Sequence, residues 1–152
     1  MNRQSEDAFK QTKDYNCGPA AVAYMLQSHE EHPRSIDEIT VSMGSTDKDG
    51  TSHEQIKNYL TSRGYVFASG TPPLTEVRLP MLVNYQNEGD GHYGVILGIT
   101  LAHVNSRITL FDPSEGRIKT TGWPLFVAHW FSHRYGTKWG LWNLHRRDSV
   151  SR

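Results

Sequence analysis

The hydrophobic period of this chain changes at Gly64, and that change restricts the fold more than any other feature of the sequence. Before it, apolar residues recur at helical spacing; after it, at strand spacing. GPAAVAYMLQ, from Gly18 to Gln27, is apolar on nearly every side, and Pro19 stands in a first turn where its missing N–H costs nothing. The segment therefore reads as a buried helix with Cys17 at its head. In SIDEITVSMG, Ser35 and Glu38 have capping-box spacing and Gly44 is a natural stop. TSHEQIKNYLTSRG repeats the pattern, with Thr51 and Glu54 as the expected box, Ile56, Tyr59 and Leu60 on one face, and Gly64 as terminator.

Beyond Gly64 come YVFAS, RLPMLVNYQ, HYGVILGIT, RITLFD and RIKTT, the last four separated by turn-rich NEGDG, AHVNS and PSEG. These predict an antiparallel meander, interrupted by a short helix around Pro124 to Phe131 and completed by WGLWNL as a last strand. Helices first and a sheet afterwards is the α+β arrangement, one helical layer packed on a mostly antiparallel sheet. The 152 residues fit a single domain over 1–145, with 146–152 as a polar tail.

Composition removes several classes of function. Sixteen Lys and Arg balance sixteen Asp and Glu, so no long-range field draws the protein to nucleic acid or an anionic membrane. A single cysteine excludes an internal disulfide and a four-cysteine metal site. The first twenty residues contain no apolar signal-peptide core, and no stretch approaches the roughly 18 apolar residues of a membrane span. A cytoplasmic protein is expected, with a secreted effector as the alternative.

Specificity must then come from a local site, and the lone Cys17 marks it. Nucleophilic catalysis by cysteine needs a thiolate, a nearby imidazole, a group that orients the imidazole, and donors for a developing oxyanion. The head of a buried helix favours negative charge and lowers a thiol pKa. Gly18 beside it leaves room for close approach of a substrate, and Gly91 and Tyr93, on either side of His92, are expected to contact that substrate as well. His92 follows the glycine-flanked turn, which places an imidazole at the start of a strand. Asp112 ends RITLFD before Pro113, one hairpin away, so adjacent antiparallel strands bring the two together.

Gln11, five intervening residues and then Cys17-Gly18-Pro19-Ala20-Ala21 resembles the N-terminal motif of family thirty-nine of the cysteine peptidases, the double-glycine leader peptidases of bacteriocin exporters and their standalone relatives. GHYGVILGI and FDPSEG resemble that family's His and Asp-Pro motifs in the same order, over roughly residues 9 to 131. The resemblance implies a papain-like fold and a cysteine peptidase that hydrolyses a peptide or isopeptide bond in a peptide or protein substrate; no cofactor is expected. It further implies that Gln11 donates its amide to the oxyanion beside the Cys17 N–H, that His92 deprotonates Cys17 and later protonates the leaving amine, and that Asp112 fixes the imidazole. Exporter-borne members continue into membrane spans and an ATPase, whereas this sequence ends at Arg152 and reads closer to the standalone members.

Other features carry ordinary explanations. His129 and His133 stand four apart, a spacing that serves a metal only if a carboxylate joins them, and no metal is expected. Trp123, Phe126, Trp130, Phe131, Trp139 and Trp142 are expected mainly to build the core, while Asn87 to Gly91 is a candidate substrate-contacting loop. The same constellation serves glutamine deamidation or acyl transfer to an amine, because all pass through a thioester. A papain-like scaffold retained as a non-catalytic binding module is the remaining alternative.

Overall fold

The computed structural model describes residues 5–73, 75–87, 90–100, 105–130 and 138–147. After a 3₁₀ turn over Glu6–Phe9 come α1 (Cys17–Leu26), α2 (Ile36–Met43) and α3 (His53–Ser62). Then follow β1 (Tyr65–Gly70), β2 (Met81–Asn87), β3 (Asp90–Thr100), β4 (Arg107–Asp112), β5 (Arg117–Gly122), α4 (Trp123–His129) and β6 (Trp139–Arg146). The strands form one six-stranded antiparallel sheet in the order β1-β6-β2-β3-β4-β5. This is the expected α+β class.

The meander holds from β2 to β5 but does not include β1. The C-terminal strand β6 inserts between β1 and β2, pairing Ser69 with Leu141 on one side and Leu82 with Leu141 on the other. Gly140 permits the approach: a Cβ there would lie 2.8 Å from Met81 Sδ. Such non-local pairing leaves no trace in hydrophobic period. Smaller shifts have local causes. β2 starts at Met81 because Pro80 has no N–H for the ladder. The box of α3 is Ser52 with Gln55, one residue past the expected Thr51 and Glu54; Thr51 instead bonds Ser45 Oγ and accepts the Tyr93 hydroxyl at its carbonyl. Asn87 pairs with Asp90, so most of the expected loop is strand; residues 88 and 89 lie outside the described residues. β6 runs on to Arg146, assigned from sequence to the tail.

The sheet has two covered faces. Against the first lie α1 to α3, with Ala20, Ala21, Ile56, Leu82, Val95, Phe111 and Leu141 fully buried. Against the second lies α4, over Met81, Val83, Ile96, Ile108 and Trp130. Phe126, Trp130, Trp139 and Trp142 are buried, as expected of core aromatics; Phe131 and His133 lie outside the described residues. Tyr24 of α1 stacks on Phe111 of β4 with ring centroids 4.0 Å apart, and Phe9 meets Tyr24 edge-on at 5.5 Å. This stack pins α1 across the strand whose next residue is Asp112.

Candidate active site

Cys17 is the first residue of α1, where backbone N–H groups have no intrahelical partner. The preceding Asn16 is fully buried, yet its side chain does not cap the helix. Its Oδ1 accepts the Lys13 N–H at 2.9 Å, and its Nδ2 donates to Thr12 Oγ1 at 2.8 Å and to Thr40 Oγ1 of α2 at 3.1 Å. Asn16 thus ties the loop from Gln11 to Cys17 onto α2.

His92, the third residue of β3 rather than its opening one, is 7% exposed. Its Nε2 bonds Asp112 Oδ1 at 2.8 Å, and the ring lies near enough to Cys17 to act on its thiol. With Nε2 occupied, Nδ1 is the ring nitrogen left to face the sulfur. Tyr85, opposite His92 on β2, meets the imidazole edge-on at 5.5 Å and closes its far side. Asp112 Oδ1 also accepts the Ser114 N–H at 2.9 Å and the Ser114 hydroxyl at 2.7 Å, while Oδ2 takes Lys119 Nζ at 3.0 Å.

Electrostatics follow from these partners. Burial disfavours a charged sulfur, but the His92 hydrogen bond and charge, with the backbone N–H groups of Tyr93 and Gly18, outweigh it and hold the thiol below its ordinary pKa. Burial likewise opposes the imidazolium, yet bonds to Asp112 and Cys17 raise His92 to about 9. Against its own burial, Asp112 is held far below the usual carboxylate range by His92, Ser114 and Lys119. Both shifts run toward a thiolate facing an imidazolium, and such a sulfur can attack a carbonyl to form a thioester.

The other expected residues fall into two groups. Gln11 N–H donates to Pro113 O at 2.8 Å, which brings its segment to the Asp112 turn. Its amide Nε2 donates to Lys13 O at 2.9 Å, and Oε1 is buried without a partner among the described residues. A carboxamide has two N–H donors, so one remains. Gly91 is exposed at the end of β3 beside His92. Gly18 and Tyr93, by contrast, pack inward: a Cβ at Gly18 would lie 3.1 Å from Thr51 and 3.2 Å from Tyr93, whose ring is buried and bonded to His53 Nδ1 at 2.7 Å. Any substrate contact they make would run through backbone.

Beside Asp112 opens a cavity of about 410 Å³, lined by Tyr85, Gln86, Lys119, Leu125 and Phe126 among others. Gln86 is 8% exposed, and among the described residues neither of its amide atoms has a partner. No metal-binding group of three or more ligands exists among the described residues, and His129 Nδ1 bonds Leu125 O at 2.9 Å. Sequence reasoning missed Ser114, Lys119, Tyr85 and Asn16. Ser114 was within reach, since a serine two residues after an aspartate commonly closes a turn on it; Lys119 required the β4–β5 register, which pairs it with Leu110.

Comparison with known proteins agrees with this architecture. The chain resembles the peptidase domain of Streptococcus ComA, a bifunctional ABC transporter in quorum sensing, with a TM-score of 0.70, 18% identity and coverage of 90% of this chain and 96% of that one. It also resembles a double-glycine-motif protease from an AMS/PCAT transporter in complex with a leader peptide, with a TM-score of 0.66, 18% identity and coverage of 87% and 86%. An uncharacterised protein of Methanothermobacter marburgensis is 27% identical over 110 residues, covering 72% of this chain and 73% of its own. One from Methanothermobacter thermautotrophicus is 28% identical over 108 residues, covering 71% and 72%. The family model for the peptidase C39 family matches residues 5–130, and with the match extending over most of its length, this chain belongs to that family of cysteine peptidases.

Proposed function

We propose that Cys17, His92 and Asp112 form the catalytic triad and that Gln11 and the Cys17 N–H form the oxyanion site, for hydrolysis of a peptide bond. The observation that carries this reading is the imidazole of His92, bonded to Asp112 at 2.8 Å and lying close enough to Cys17 to lower its thiol pKa. Cys17 Sγ attacks the scissile carbonyl, the carbonyl oxygen gathers negative charge, and His92 gives its proton to the departing amine as the C–N bond breaks. A water then attacks the thioester, His92 takes its proton, and the acid leaves with the sulfur restored as thiolate. The oxyanion falls between the head of α1 and the unspent amide N–H of Gln11, both fixed donors in a site partly shielded from water.

A peptide is the favoured substrate class. The similar transporter protease was solved with a leader peptide, and the cavity beside Asp112 leaves room for a chain to lie next to the triad. The test is chemical. Iodoacetamide should label Cys17 at pH 6 far faster than a free thiol, and His92→Ala should slow labelling about 10²-fold or more. Equal rates in the two proteins would refute the ion pair. Incubation with peptide libraries should yield new chain ends; ammonia release without cleavage would assign the same residues to deamidation.

A further inference from the structure

Asp112 is shared. Oδ1 serves His92 and Ser114, whereas Oδ2 serves Lys119 from β5 at 3.0 Å. Lys119 Nζ is itself shared, with Glu115 Oε2 at 2.5 Å, and Glu115 reaches Arg117 at 3.8 Å. The carboxylate that orients the imidazole therefore lies between two cations, and one of them is drawn partly away by a second carboxylate.

We propose that Lys119 is a positioning residue that acts through Asp112, setting how tightly that carboxylate holds the His92 imidazolium. The inference rests on the triad reading and deepens it. A general acid works best with a pKa near the working pH, and an imidazolium held too firmly by an unshared carboxylate gives up its proton reluctantly. Lys119 offsets part of the Asp112 charge and so weakens that hold; Glu115 offsets Lys119 and restores some of it. The groups around the imidazole are Cys17 from α1, Tyr85 from β2, Asp112 from β4, Glu115 and Ser114 from the turn, Lys119 from β5, and His129 of α4 across the cavity. Lys119 and Glu115 are the pair among them able to act in opposite directions through one oxygen. Ser114 holds Oδ1 by two bonds that do not involve Lys119, so loss of the lysine leaves the carboxylate aligned and alters its charge balance.

The sign of the effect tests the proposal. Histidine ring NMR of the full chain across pH, with the His92 signal assigned by its loss in His92→Gln, reads the upper titration of the Cys17–His92 pair. Lys119→Met should raise that midpoint by about half a pH unit, a size limited by the lysine side chain's 41% exposure. Lys119→Arg should leave it nearly unchanged, and Glu115→Gln should lower it by a smaller amount. An unmoved or lowered midpoint in Lys119→Met would overturn the proposal, as would equal shifts in Lys119→Met and Lys119→Arg, since a packing role does not follow charge. Failure of the triad reading shows elsewhere, as an ordinary Cys17 labelling rate in the wild-type protein.

Discussion

Two buried polar clusters stand at the two ends of α1, and they are built from similar parts. At the head of the helix, Cys17 and Asp112 flank His92, with 2.8 Å from imidazole to carboxylate. Past its C-terminal end, Glu30 is 4% exposed and accepts from Arg63 Nη2 at 3.1 Å and from the Tyr65 hydroxyl at 3.1 Å. Arg146 covers Tyr65 at 5.2 Å and donates to His29 O at 3.0 Å, closing the cluster over β1 and β6. The difference lies in which partner can exchange a proton. A guanidinium keeps its charge at any working pH, and the Tyr65 phenol is pushed above its ordinary range by burial and by Glu30. The Glu30 cluster therefore fastens α3, β1 and β6 to the end of α1. The Cys17 cluster sets a lowered thiol against a raised imidazole, two groups able to trade one proton, as the proposed mechanism requires.

Substitution at each end should separate these roles. Cys17→Ala should abolish hydrolysis, a loss of about 10⁴-fold or more, while shifting the urea midpoint little. Glu30→Gln should do the converse. It leaves Arg63 without its counter-charge at a side chain 28% exposed, so water recovers part of the penalty and the loss is about 2 kcal/mol. The rate of Cys17 labelling by iodoacetamide should stay within about twofold, because no Glu30 partner touches the site. A changed labelling rate in folded Glu30→Gln would break the division of labour.

A subtler contrast appears with pH. Folding lowers Cys17 from 9.0 and raises His92 from 6.5 to about 9. The lowered thiol contributes stability that is present above 9.0 and lost as pH falls through its folded value. The raised imidazole contributes stability that is present below 6.5 and lost as pH rises through about 9. Where the intervals overlap, the folded protein carries a proton on His92 and the unfolded chain carries one on Cys17, so the counts cancel and stability is level. Cys17→Ala removes one side of this balance. With His92 still bonded to Asp112, stability should fall as pH rises above 6.5, by roughly 1 kcal/mol per pH unit at the steepest. Urea midpoints of the two proteins between pH 6 and 9 check this, and parallel curves would sink it.

Much of this was legible before any coordinates. The period change at Gly64 separated the helices from the sheet, and Ser35 with Glu38 placed the head of α2, because those signals are local. Cys17 and Asp112 were legible because each sits at an element's end, and His92 because it stands just inside β3 after a glycine-rich turn, where motif and turn chemistry mark it. The position of β6 between β1 and β2 was not, since nothing in WGLWNL names its partners. Lys119 was hidden for the same reason: its contact with Asp112 arises across a hairpin register. The inward packing of Gly18 against Thr51 and Tyr93 was equally hidden, a matter of which helix passes over which strand.

Glycine turns provide the finest test of the two ends. Gly64, next to Arg63, has φ +87° with nothing within 4 Å of a Cβ, so Gly64→Ala should cost about 1 kcal/mol of stability and leave catalysis alone. Gly116 has φ +65°, and a Cβ there would lie 2.6 Å from Lys10 Cβ and 3.2 Å from its Cα. Lys10 must therefore move in Gly116→Ala, and with it Gln11, whose N–H is bonded to Pro113 O at 2.8 Å. Stability should fall by about 1 to 2 kcal/mol. If Gln11 serves the oxyanion, kcat should also drop, by roughly tenfold, with KM little changed, because that charge develops only in the transition state. Alkylation of Cys17 generates no oxyanion and should keep its rate. A parallel fall in alkylation would mean that the turn acts through Asp112 and His92 instead, and Gln11 would lose its assigned part.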